Sequence, residues 1–156
     1  MSRTGLEAAI ERGASLVIDS SAILAYLDGT EAVSALAAVV FDEFVRPGRN
    51  AATVSAVSVT EVLVGPLRAG SSSAADTVEA FLLRSPNLLI APVTYDVARE
   101  AGAIRAATAL RTPDATILAT ALILGSPIVV ASDSRWLGAI ERAGLPIRLC
   151  HLDAFL

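Results

Sequence analysis

Four acids, Asp19, Glu61, Asp114 and Asp133, lie in four separate stretches of the chain, each close behind an apolar run or near a helix start. Two carboxylates about 4 Å apart repel by roughly 4 kcal/mol at an effective dielectric near 20. Gathering three or four of them at one place therefore requires protonation or a bound cation. With one histidine and one cysteine in the chain, the donors are hard oxygens, which favour Mg²⁺ or Mn²⁺ over zinc. A hydrated divalent ion held by carboxylates activates water and stabilises the charge that develops on a phosphodiester.

Each acid also has an ordinary structural role open to it. Ser58-Val59-Thr60-Glu61 matches a capping box, in which Glu61 holds a helix start. Asp114 suits the positive end of a helix dipole, and Asp133 could serve as an N-cap. Asp19 is harder to assign this way, because Ser20 and Ser21 follow it and could cap the next helix without placing a charge at the end of a buried strand. The joint occurrence, rather than any one acid, carries the metal-site expectation.

The elements that would position these residues alternate. Apolar runs at Ser15–Ile18, Thr53–Val57, Leu88–Ile90, Ile128–Ala131 and Ile147–Leu149 read as strands. Between them, helical periodicity predicts helices over Leu6–Arg12, Ser20–Leu27, Glu31–Val45, Val59–Arg68, Ala74–Leu83, Val97–Leu110, Thr112–Leu124 and Trp136–Ala143, with Thr112 as N-cap and Pro113 at the first helical position. This order predicts an α/β fold: a three-layer αβα sandwich around a mostly parallel sheet of four to five strands. The chain of 156 residues is expected to be a single domain, with residues 1–14 as an N-terminal extension. In an open parallel sheet ligands bind beyond the carboxyl ends of the strands. Asp19 and Asp133 closely follow the first and fourth strands; Glu61 is expected in the first turn of the helix after the second. Asp114 is expected in the first turn of the helix that feeds the fourth.

Composition sets further bounds. Hydrophobic residues make up 54% of the chain and mean hydropathy is +0.62, which suits helices over a buried parallel sheet. No stretch approaches the roughly 18 uninterrupted apolar residues of a membrane span, and the N-terminus, with Glu7, Glu11 and Arg12, lacks a secretory core. Cys150, the single cysteine, permits no internal disulfide and is expected to pack as a small apolar group, so cytoplasmic residence is the default. The net charge of −4 argues against a broad basic surface. All twelve basic residues are arginine, so phosphate contacts must come from a few placed guanidiniums. A bound cation would supply the positive potential the whole chain lacks.

At these residues the chain resembles the PIN-domain nucleases, in particular the VapC toxins of bacterial and archaeal toxin–antitoxin pairs. Val17-Ile18-Asp19-Ser20-Ser21-Ala22-Ile23-Leu24-Ala25-Tyr26 resembles the family's first strand and first acid, and Ser58-Val59-Thr60-Glu61-Val62 its second acidic motif. Thr112-Pro113-Asp114-Ala115-Thr116-Ile117-Leu118-Ala119-Thr120-Ala121 is the most specific match, and Ser132-Asp133-Ser134-Arg135-Trp136 resembles the fourth motif, with Ser132 where the family often has Asn. The resemblance runs from about Leu16 to Leu149.

It implies hydrolysis of RNA phosphodiesters by a metal-activated water, a homodimer, and a cognate antitoxin whose C-terminal segment blocks the site. It implies Asp19, Asp114 and Asp133 as ligands of Mg²⁺ or Mn²⁺. Glu61 would ligate directly, ligate through water, or serve as base for the attacking water. Ser20 and Ser21 are candidates for bonding a carboxylate or the scissile phosphate, and Arg105 and Arg135 for phosphate contacts. His151 is read as a terminal surface residue and Trp136 as a core or interface anchor.

Three other classes fit the residues less well. A non-catalytic PIN-like RNA- or protein-binding adaptor has no reason to keep all four acids. An aspartyl-nucleophile phosphotransferase usually wants a second acid two residues after the first, where Ser21 stands. The chain carries no Gly-rich phosphate loop, so a nucleotide cofactor is not expected.

Overall fold

In the computed structural model, residues 3–156 are described. Five parallel strands form one sheet in the order β3-β2-β1-β4-β5, where β1 is Leu16–Ile18, β2 Ala52–Ser55, β3 Leu88–Ala91, β4 Ile128–Ala131 and β5 Arg148–His151. The predicted three-layer αβα architecture is what the chain adopts. Side chains alternate along each strand, so Leu16 and Ile18 enter one core with Val54, Ile128 and Val130, while Val17 enters the other with Val129 and Ala131.

The first core is closed by α1 (Arg3–Ala9), α2 (Ser20–Asp28), α3 (Ser34–Ala38), α4 (Ala56–Arg68) and α5 (Ser72–Arg84). The second lies under α6 (Tyr95–Ala107), α7 (Thr112–Leu124) and α8 (Arg135–Ala143). Both faces of the central strands are thus covered, which is why they read as unbroken apolar runs. No helix among the described residues is long and apolar enough to cross a membrane.

Several boundaries differ from expectation for identifiable reasons. β2 begins one residue early, at Ala52, and ends at Ser55 rather than Val57. β1 is only three residues long and pairs with β2 at Ala52 and Thr53, and β3 reaches no further than Ser55, so no ladder remains for Val57. Helix α4 consequently starts at Ala56. The predicted Glu31–Val45 helix begins at Ser34 as α3 and continues as a π-helical segment, Val39–Val45. The wider turn of that segment places Val40, Phe41, Phe44 and Val45 all in the core.

The N-terminal helix lies at Arg3–Ala9 instead of Leu6–Arg12. Tertiary bonds hold the chain that follows it in a non-helical path. Arg49 Nη2 donates to the Ile10 carbonyl at 2.8 Å, and Asn50 Nδ2 donates to those of Glu11 and Ala14 at 2.7 and 2.8 Å. Leu6 and Ile10 are fully buried, so the described part of the 1–14 extension packs into the first core; Met1 and Ser2 lie outside the described residues. Strand β5 runs from Arg148 to His151, one residue later at its start and two at its end than expected. Cys150, on that strand, is buried as expected, and burial pushes its thiol pKa up to about 12.

Candidate active site

The strand order places β1 and β4 side by side, with β2 and β3 beyond β1 and β5 beyond β4. Chain connections leave in opposite directions from this point, and the crevice past the carboxyl ends of β1 and β4 is where such a sheet offers a site. Asp19 follows β1 directly. Its backbone N–H donates to the Val130 carbonyl of β4 at 2.9 Å, continuing the ladder by one residue. The carboxylate caps α2, accepting from the Ser21 N–H at 3.0 Å and from the Ser21 hydroxyl. Asp19 therefore performs the capping that its neighbouring serines could have performed.

Those serines do something else. The Ser20 hydroxyl lies 2.8 Å from Glu61 Oε2 and 3.3 Å from Asp19 Oδ1, joining two acids from different elements. The Ser21 hydroxyl accepts from the Ser132 N–H at 3.0 Å, tying the start of α2 to the loop after β4.

Glu61 lies in the second turn of α4, not the first, because the helix starts at Ala56. The capping-box role is thereby removed: Ser55 is the N-cap residue and makes no side-chain cap bond. Glu61 is free to turn toward Ser20.

Asp114 sits in the first turn of α7, as expected, and is buried. The N-cap of α7 is Arg111 rather than Thr112, since the helix takes in Thr112 and places Pro113 at its second residue. The Arg111 guanidinium, exposed itself, donates to Asp114 from Nε at 3.1 Å and from Nη2 at 3.4 Å.

Asp133 sits two residues beyond β4 and one before the α8 N-cap, Ser134. It accepts from the Arg135 N–H at 2.9 Å and pairs with that residue's guanidinium through both oxygens.

Electrostatics connect the group. Burial pushes the Asp19 carboxyl above the ordinary aspartate range; the Ser21 bonds oppose the shift and the Asp114 charge adds to it. Burial likewise raises Glu61, opposed by the Ser20 bond and by Arg111, and reinforced by Asp19 and Asp114. Asp133 moves the other way, held low mainly by its bond from Arg135. The Asp114 charge thus acts on Asp19 and Glu61, and Asp19 on Glu61, while Asp133 is linked to them through arginines: Arg111 acts on Asp133, and Asp114 on Arg135.

Among the described residues no three His, Cys, Asp or Glu side chains are gathered as a metal-ligand cluster. The donor set nevertheless fits a hard divalent cation. It is all oxygen, two of its carboxyls carry a cost for being charged, and a third is paired with an exposed guanidinium that a cation could displace.

Of the other predicted residues, Arg105 is exposed on α6 and its Nε donates to the Leu110 carbonyl at 3.4 Å, with no bond to the acids. His151 is not a free surface residue: its side chain is largely buried, with Nε2 3.1 Å from the Ser132 carbonyl. The strand β5 carries it there by pairing Ala131 with His151. Trp136 is a core residue. Ser132, where the family often has Asn, leaves its buried hydroxyl without a partner among the described residues. Arg111 was missed. Its place three residues before Asp114, outside the helix interior, was the available signal, since side chains three or four apart across a helix start can meet.

Among solved structures, the chain resembles VapC20 of Mycobacterium tuberculosis at a TM-score of 0.66 and 19% identity, covering 80% of this chain and 94% of that one. It resembles FitAcB of Neisseria gonorrhoeae at 0.65 and 18%, covering 86% and 95%. A DNA-bound VapBC of Salmonella typhimurium matches at 0.65 and 18%, covering 87% and 96%. At these identities the likeness is one of fold. No curated protein matches the sequence. The PIN domain family model matches residues 16–142, a span that begins with β1, contains all four acids and ends in the last turn of α8. The protein belongs to the PIN domain family.

Proposed function

We propose that the chain is a Mg²⁺- or Mn²⁺-dependent endoribonuclease and the toxin of a toxin–antitoxin pair. The observation that carries this reading is the Ser20 hydroxyl set between Asp19 and Glu61, with Asp114 near enough to raise the pKa of both. Asp19, Asp114 and Asp133 would hold the ion, with Glu61 as a fourth ligand or as base. The ion would supply a bound water of lowered pKa and a counter-charge for the phosphate.

The chain's own residues do the rest. Ser20 orients the Glu61 carboxylate, and burial makes that carboxylate a better proton acceptor than an exposed one. Ser21 fixes the Asp19 carboxylate and locks the Ser132–Asp133 loop against α2. Arg111 and Arg135 neutralise two acids at the mouth of the site and face an approaching phosphate.

The described VapC20 is a toxin that cleaves the sarcin-ricin loop, and other similar structures are toxin–antitoxin assemblies. By that likeness we assign RNA as substrate, a cognate antitoxin and a second copy of the chain as partners, and the cytoplasm as the place of action. A second reading, a non-catalytic PIN-like adaptor, draws on the arginine pairing of Asp114 and Asp133.

Purified protein incubated with structured RNAs in Mg²⁺ or Mn²⁺ separates the two. Cleavage is expected from the unaltered chain alone, and not with EDTA or in Asp19→Asn. Equal cleavage by Asp19→Asn overturns the nuclease proposal, and RNA binding without cleavage favours the adaptor.

A further inference from the structure

Beside the acids lies a cleft of about 240 Å³ whose lining includes Leu110, Arg111, Asp114, Arg135, Gly138 and Arg142. We propose that this cleft is a subsite for the RNA strand flanking the cut, in which Arg142 binds a backbone phosphate next to the scissile one. The inference rests on the ribonuclease reading above and adds the path of the substrate.

Three of the twelve arginines of an acidic chain meet in this cleft. Arg135, Gly138, Ala139 and Arg142 recur at i, i+3, i+4 and i+7, which is one face of α8. Arg111 and Arg135 are committed to Asp114 and Asp133. Arg142 is exposed and, among the described residues, has no carboxylate partner, so it is the cation of the cleft left for an outside anion.

Seven residues of helix separate Arg135 from Arg142, an axial distance of about 10.5 Å at 1.5 Å per residue. Arg135 starts α8 beside Asp133 and Arg142 lies in its last turn, so Arg142 is placed for a point on the strand beyond the acids. Between them the wall is low. A Cβ added at Gly138 would meet nothing within 4 Å, and the neighbouring Ala139 is small. The cleft is below the roughly 300–1,000 Å³ of pockets that enclose a whole small ligand. It fits a strand laid along the face better than a free nucleotide held inside. Asp114, the one carboxylate of the lining, would oppose phosphate but for its bonds from Arg111.

The test is binding of a fluorescein-labelled 20-nucleotide mixed-sequence single-stranded RNA, by anisotropy over a salt series in EDTA, with a gel to verify that the probe stays intact. Arg142→Ala is expected to weaken binding two- to fivefold near 50 mM salt, the range of one exposed charge contact. It should reduce the slope of log K against log salt by about 0.7, the value of one single-strand phosphate. Arg142→Glu should lose more and Arg142→Lys less. Gly138→Leu, which fills the cleft without changing charge, should also weaken binding, whereas Arg84→Ala, on the far helix α5, should not.

Wild-type affinity and slope in Arg142→Ala overturn the proposal, as does an equal loss in Arg84→Ala or no RNA binding by the unaltered chain. An acidic protein segment as the true occupant would give the first of these results. The nuclease reading is judged separately, by whether cleavage in Mg²⁺ is lost in Asp19→Asn.

Discussion

Ser20 and Glu61, forty-one positions apart, meet at 2.8 Å, and the same hydroxyl is 3.3 Å from Asp19. A serine hydroxyl has one proton to donate. One neutral donor shared by two carboxylates does not offset their charge, and burial raises the pKa of both, so a proton or a bound cation would relieve the pair. The sheet edge creates that pair by bringing the end of β1 and the second turn of α4 together.

Ser20→Ala is therefore expected to cut the metal-dependent cleavage rate by about 10- to 100-fold, the usual range for a group that orients a ligand. RNA binding in EDTA should stay within twofold. A cleavage rate equal to wild type would remove Ser20 from the positioning of Glu61.

Asp19→Asn should abolish cleavage and yet raise the melting temperature of the metal-free protein at pH 7. Both Asp19 and Glu61 have pKa values raised by burial. Between the ordinary carboxylate value and the raised one, the folded chain holds more protons than the unfolded chain, so stability rises as pH falls through that window and the full cost is present above it. Asp133, held low, acts in the opposite sense below the ordinary value. A gain of on the order of 1 kcal/mol corresponds to about 2–4 °C in a chain of this size. Calorimetry at pH 7 and near pH 5 checks it: the gain over wild type should shrink at the lower pH, and a loss of stability at pH 7 would contradict the argument.

The Arg111 guanidinium is bonded to Asp114 through Nε and Nη2. Arg111→Ala should thus bind Mn²⁺ more tightly than wild type in calorimetric titration without RNA, because the ion no longer competes with the guanidinium. The same variant should bind RNA more weakly. Weaker Mn²⁺ binding would mean that Arg111 positions Asp114 for the metal instead of masking it.

Asn50 is 1% exposed and donates to the carbonyls of Glu11 and Ala14. Asn50→Ala leaves the Ala14 carbonyl unpaired and the Glu11 carbonyl with the Ala14 N–H as its remaining donor, at a cost of about 2 kcal/mol, or roughly 4–8 °C in melting temperature. Denaturant unfolding measures it. An unchanged midpoint would show that the N-terminal segment does not depend on the Asn50 bonds.

The layer architecture was legible because buried strands and amphipathic helices impose different periods on the chain, and the runs at Leu16–Ile18 and Ile128–Ala131 permit little else. The places of the four acids near the ends of those elements were legible too. Their state was not. Ser58-Val59-Thr60-Glu61 left a capping role open to Glu61 beside the catalytic one; the end of the β2 ladder at Ser55, set by β1 and β3, puts the start of α4 at Ala56 and removes the capping role. The bridging of Asp19 and Glu61 by Ser20, the clamping of Asp114 by Arg111, and the carriage of His151 to the Ser132 carbonyl by the β4–β5 register depend on contacts between distant segments. Local periodicity records which face a residue takes, because that is set within one turn or one pleat. Which partner it meets there is set by strand order and register, which are properties of the assembled sheet.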